Sequence, residues 1–137
     1  QCMDGEVYLG QPPVVELMAE DVPMAIVDRQ TVTSAIDVAQ GSAVGDVAVY
    51  VDVEHTYIGD LTMVLQAPTG ESVTLHQRSG GSTDDIVGWY PDDLTPFEGL
   101  DAFVGVDSVG TWTLSISDAS GSDEGTLQAW SLLLSFL

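Results

Sequence analysis

Across residues 46–78 apolar and polar positions alternate. Val47, Val49, Val51 and Val53 are interleaved with Asp46, Ala48, Tyr50 and Asp52. After a short connection, Leu61, Met63, Leu65 and Ala67 are interleaved with Thr62, Val64 and Gln66, and Val73 and Leu75 with Thr74 and His76. A period of two buries one face of a pleated strand and leaves the other wetter. The stretch therefore predicts three strands, with a tight turn at Ala67-Pro68-Thr69-Gly70, where Pro presets φ and Gly closes the turn. An antiparallel meander is the expected arrangement.

The same period recurs on both sides. Val32, Ser34, Ile36 and Val38 predict one strand, and residues 24–27 a shorter one. Trp112, Leu114 and Ile116 predict another. The last strand places Trp130, Leu132, Leu134 and Phe136 on one face; Leu127 and Ala129 have the opposite parity, which predicts a bulge near Ala129. Between residues 79 and 109 the pattern dissolves into Gly, Pro and paired aspartates, with only residues 102–104 suggesting a strand. Loops of that length inside a domain are usually functional or tied down. Residues 1–23 carry Pro12, Pro13 and Pro23 without a clean period and are expected to be a lead-in or linker; residues 24–137 form the domain. With no helical period and no repeat, roughly eight strands argue for an all-β fold, an antiparallel sandwich or jelly roll.

Charge narrows the function classes. The 137 residues include 22 acidic side chains against two basic ones, Arg29 and Arg78, for a net charge of −20. Gripping a nucleic-acid backbone needs clustered Lys and Arg, so that class is excluded, and anionic membrane surfaces are disfavoured for the same reason. The acidity admits three readings: a solvated surface suited to high salt, carboxylates held as calcium ligands, or a basic partner. Cys2 is the single cysteine, so no internal disulfide is possible. The apolar end, residues 132–137, is too short to span a bilayer. The chain opens on Gln1, as expected of a processed product or an excised piece.

Catalytic motifs are missing. There is no G-x-S-x-G, H-E-x-x-H, C-x-x-C or P-loop. His55 and His76 both fall within the alternating stretch, where convergence on a serine is not expected. Paired carboxylates suited to glycoside hydrolysis arise by chance in so acidic a chain. Calcium is the better chemical signal. In a meander Asp60 lies at the same end as Asp84 and Asp85, and three crowded carboxylates attract a hard cation. Asp118 and Asp123 bracket a second acidic loop, although its spacing is not that of an EF-hand. Turn-capping, solvated aspartates are the competing reading. Trp112 and Trp130 fall on buried parity, whereas Trp89 and Tyr90, in the long loop, are candidates for an exposed sugar-stacking pair.

Several segments, in order, resemble one family. His55-Thr56-Tyr57-Ile58-Gly59-Asp60-Leu61 is similar to the H-T-Y-x-G-D-L motif of the P domain, or Homo B domain, of kexin- and furin-like proprotein convertases and of bacterial subtilisin-like secreted proteases. Ala67-Pro68-Thr69-Gly70 resembles its S-P-S-G turn, residues 72–78 its S-V-T-L-x-x-R strand, and Gly80-Gly81-Ser82 with Asp84-Asp85-Ile86 its G-G-S-x-D-N-I. Asp92-Asp93 and Pro96-Phe97-Glu98-Gly99 resemble its D-D and P-F-x-G stretches. Gly110-Thr111-Trp112-Thr113-Leu114 with Asp118, then Gly125-Thr126-Leu127 and Trp130-Ser131-Leu132, resemble its closing pattern. The loop Ser120-Gly121-Ser122-Asp123-Glu124-Gly125 departs from the family's G-D-x-G run. The resemblance implies an antiparallel jelly-roll β-sandwich. It also implies a non-catalytic accessory role beside a subtilisin-like serine-protease catalytic domain in cis, in a secreted or cell-surface protein, and a domain that is monomeric by itself. It implies structural Ca2+ as well, which points again to Asp60, Asp84, Asp85, Asp118 and Asp123. An apolar docking patch is then expected, with the outward Val64 and Leu133 as candidates. A stand-alone carbohydrate- or matrix-binding module is the alternative.

Overall fold

A computed structural model of the chain describes residues 14–27, 29–39, 41–55, 57–119 and 125–136. Nine strands are described: β1 (Val14–Met18), β2 (Met24–Ile26), β3 (Thr31–Val38), β4 (Val44–His55), β5 (Leu61–Gln66), β6 (Ser72–Gln77), β7 (Ile86–Tyr90), β8 (Gly110–Asp118) and β9 (Gly125–Phe136). Two short 3-10 turns, Ile58–Asp60 and Leu100–Phe103, complete the regular structure. The strands form two antiparallel sheets. One has the order β1-β9-β4-β7, with β2 also paired to β9; the other has the order β3-β8-β5-β6. β1 pairs with Ser131–Ser135 of β9 and β2 with Gly125–Leu127, so together they act as one broken edge strand. Counted that way, there are four strands in each sheet, joined by crossovers in the jelly-roll order.

The alternation seen in the sequence is the alternation of burial. Val47, Val49, Val51 and Val53 face inward from β4, and Leu61, Met63 and Leu65 from β5. Trp112 and Trp130 are fully buried, one from each sheet. The Trp112 indole N–H donates to the Ser108 carbonyl (2.9 Å), and its ring meets Phe103 edge-on at 5.2 Å. The Trp130 N–H donates to Ser34 Oγ (2.7 Å), and that hydroxyl in turn donates to the Asp21 carboxylate. Both indoles thus bury their area without stranding a donor. The register of β9 on β4 shifts between Leu127 and Ala129, which is where the opposite parities predicted a bulge.

Three expectations are corrected. β4 and β5 do not pair: they lie in opposite sheets, and only β5 and β6 form a hairpin. Alternation reports which face of a strand is buried but not which neighbour it joins. Residues 102–104 are not a strand, since most of that segment lies in the 3-10 turn Leu100–Phe103; the strand of the long region is β7, hidden in the sequence by Gly88 and by flanking aspartates. Tyr90, expected in the open, is 2% exposed, while Trp89 is half-buried and tilted 53° against Tyr50, so the pair offers no flat platform. Apart from these three, Val14–Met18, within the stretch expected as a lead-in or linker, forms β1 at the edge of its sheet.

Candidate functional site

The chain between β4 and β5 must leave one sheet and enter the other within a few residues, and both histidines secure that crossing. His55 ends β4 with its side chain pointing inward, on the parity of Val51 and Val53. The Tyr57 amide donates to its Nδ1 (3.0 Å), so the ring proton resides on Nε2 and donates to Asp118 Oδ2 (2.9 Å). Asp118 is the last residue of β8, in the opposite sheet. Both side chains are fully shielded from solvent, so this hydrogen bond clasps the two sheets at one end of the sandwich. His76 Nε2 lies 2.9 Å from the Ile58 carbonyl and holds the 3-10 turn from the other side.

Backbone contacts draw the acidic loops to the same end. Asp85 exchanges bonds with His55: its amide donates to the His55 carbonyl (2.9 Å), and its Oδ1 accepts from the His55 amide (3.1 Å). Asp85 adopts φ 65°, a conformation that few residues other than Gly and Asn/Asp tolerate. The amides of Ile58 and Gly59 donate to Thr83 and Gly81, and the Ala119 amide donates to the Asp60 carbonyl (3.0 Å). Gly59 is required here, because a Cβ would stand 2.9 Å from the Gly81 Cα. Gly125 faces His55 in register; a Cβ on it would meet the Glu54 carbonyl at 2.3 Å and the imidazole at 2.7 Å. A groove of about 430 Å³ opens above this corner, lined by Glu54, His55, Asp84, Asp85, Gly125 and Thr126 among others.

Of the five aspartates singled out from the sequence, Asp85 and Asp118 are brought to either side of His55. Asp60 is half-buried on the adjoining turn, and Asp84 is exposed at the mouth of the groove. Asp123 lies outside the described residues. The donors gathered around the His55 corner are carboxylate and carbonyl oxygens, the kind a hard divalent cation prefers. Among the described residues, however, no three carboxylate, imidazole or thiolate side chains converge closely enough to hold a metal. The sequence reading missed His55 as the hub. The signal was present: His55 and Asp118 each extend the buried parity of a strand by one polar residue.

An eight-position jelly roll with a buried clasp at one end, acidic loops around it and two histidines that both point at neighbours within the fold has the build of a small β-sandwich domain. Residues 44–134 match the family model of the proprotein convertase P-domain, and the chain belongs to that family. It is 38% identical over 130 residues to the calcium-dependent protease of Nostoc sp., covering 92% of this chain and 19% of that protein. It is 34% identical over 103 residues to the transglutaminase-activating metalloprotease of Streptomyces mobaraensis, covering 74% of this chain and 12% of that protein. The chain therefore spans about a fifth or less of these relatives. Among solved structures, the serine protease of Aeromonas sobria in complex with the chaperone ORF2 shares the fold, with a TM-score of 0.63 at 20% identity over 93% of this chain and 28% of that one. Among the described residues, no helix is long and apolar enough to cross a membrane.

Proposed function

We propose that this chain is the non-catalytic accessory P domain of a secreted, subtilisin-like serine endopeptidase, and that it supports the folding, stability and calcium dependence of a catalytic domain in cis. The observation that carries the reading is the pairing of family and length: a P domain whose relatives are proteases roughly five times longer than the stretch they share with it. Docking on a catalytic domain stabilises that domain by binding its native state and not its unfolded chain. The non-catalytic part of the reading is supported by the use of both His55 ring nitrogens, on the Tyr57 amide and on Asp118, which leaves neither to activate a serine. The serine type of the parent rests on the H-T-Y-x-G-D-L resemblance, and a serine-directed inhibitor tested against a chelator on the parent protein distinguishes it from a metalloprotease.

Calcium is part of the proposal, with Asp60, Asp84, Asp85, Asp118 and Asp123 as its ligands. It is supported by the carboxylate and carbonyl oxygens at the His55 end and by the name of the Nostoc relative. The test of the whole reading is to sequence the gene on both sides of this chain and express the product with and without the domain. Loss of active protease on deletion is the expected result. An equally abundant and equally heat-resistant protease without the domain overturns the reading.

A further inference from the structure

At the opposite end of β4 from His55, about 30 Å away along the strand, the surface changes character. A groove of about 370 Å³ runs between β1, β4 and β9, with Val14, Ala48, Leu133 and Pro91 among its walls. A second hollow of about 320 Å³ continues it across Val47 and Pro91 to Pro96, Leu100 and Val104 of the long loop. Val14 is 59% exposed and Val104 47%, so apolar area is left in water here. Carboxylates rim both hollows: Asp46, Asp92 and Asp101, all exposed. No basic side chain answers them among the described residues. Arg29 and Arg78 belong to the His55 end, where the neighbouring Gln30 carbonyl accepts from the Asp118 amide and the Arg78 amide bonds the Leu61 carbonyl.

We propose that this groove docks an apolar segment flanked by Lys or Arg on the catalytic domain of the parent protease. The inference rests on the accessory-domain reading and adds to it the face and the chemistry of the contact. An apolar floor supplies desolvated area, and an acidic rim selects and steers a basic-edged partner. The length of the matched relatives supplies such a partner in cis, since some four-fifths of the Nostoc protein lies outside the shared stretch. The first 13 residues of this chain suit the groove poorly: their apolar residues Val7, Tyr8 and Leu9 come with Asp4 and Glu6 and with no basic residue.

The experiment uses the full-length protein that carries this chain. Its arms are Val104→Asp on the floor, Asp46→Lys with Asp101→Lys on the rim, Thr33→Glu on the outer face of the other sheet, removal of residues 1–13, and removal of the whole domain. Thermal inactivation of protease activity is the readout. The expected result is about tenfold faster inactivation for the floor and rim variants, a comparable or larger loss on domain removal, and wild-type behaviour for Thr33→Glu and for removal of residues 1–13. The rim variant alters only exposed side chains and keeps the test decisive if Val104→Asp fails to fold. Wild-type behaviour of the floor and rim variants, with a large effect of domain removal, overturns the groove and leaves the accessory reading standing. No effect of domain removal overturns both. An effect of removing residues 1–13 equal to that of the floor variant assigns the groove to the chain's own N-terminus, and a dimer broken by the floor and rim variants assigns it to a second copy; either overturns the proposal.

Discussion

Replacing Asp118 with Ala tests whether the histidine clasp joins the two sheets. The variant removes the acceptor of a 2.9 Å bond between two side chains that are wholly shielded from solvent. The His55 Nε2–H is then buried without a partner, which costs about 1–3 kcal/mol, and the lost carboxylate leaves space behind, so the expected destabilisation is about 2–3 kcal/mol. For a domain of this size that lowers Tm by roughly 6–12 °C. Asp118→Asn keeps an acceptor oxygen and should lose only about 1 kcal/mol. The assay is urea and thermal unfolding followed by tryptophan fluorescence, with His55→Gln completing a double-mutant cycle. Coupling of at least about 1 kcal/mol is expected between the two positions. Imidazole nitrogen shifts in the wild type should show the proton on Nε2, because the Tyr57 amide occupies Nδ1. A destabilisation for Asp118→Ala within about 0.5 kcal/mol of zero, or no coupling in the cycle, refutes the clasp.

Gly125→Ala should destabilise by about 2–4 kcal/mol in the same unfolding assay, because the new methyl overlaps the Glu54 carbonyl and the His55 ring. The Tyr90 phenol is pushed up by burial from 10.0 to about 12. Its proton is therefore held more tightly in the folded state, so Tyr90 contributes stability that is complete below pH 10 and is lost as the pH rises through about 12. Unfolding measured against pH should show that alkaline loss, and Tyr90→Phe should flatten it. Under the calcium reading, a chelator should lower Tm by several degrees and calcium, but not magnesium at equal ionic strength, should restore it; Asp60→Ala and Asp84→Ala tested singly should each weaken the response.

How far the sequence could be read depended on whether a signal was local. Burial parity is local, and it located β4, β5, β6, β8 and β9 and the bulge in the last of these. Strand pairing is not local. The crossing from β4 to β5 depends on His55 reaching Asp118, 63 positions away, and no period encodes that distance. β7 was obscured because only five residues, one of them Gly88, separate two acidic turns. Asp118 was legible as an acidic residue but not as a buried one, since aspartate near a turn normally stays in water. That the segments of Asp60 and Asp84 lie at the same end was anticipated through a three-strand meander that does not form; the hydrogen bonds from residues 58 and 59 to residues 83 and 81 bring those segments together instead.

The distribution of charge discriminates among the readings that composition left open. Were the acidity only a solvating coat, both sheets would wear it. On the sheet β3-β8-β5-β6 the strands carry just two carboxylates, Asp37 and the buried Asp118, and most other outward positions are hydroxyls and amides such as Thr33, Thr113 and Gln66, with the apolar Ala35 and Val64 among them. The sheet containing β4 carries Glu16, Asp46, Asp52 and Glu54, and most other described acids lie in the connections between strands. Charge concentrated at the ends of a sandwich raises a local negative potential that an even coat would not. That potential favours a compact cation where oxygen donors gather around the crossing, and a basic-edged protein surface where the rim encloses apolar walls. The two proposals thus draw on one electrostatic feature but separate along β4, because the hollows walled by Val14, Ala48, Leu133, Leu100 and Val104 lie at the end away from His55.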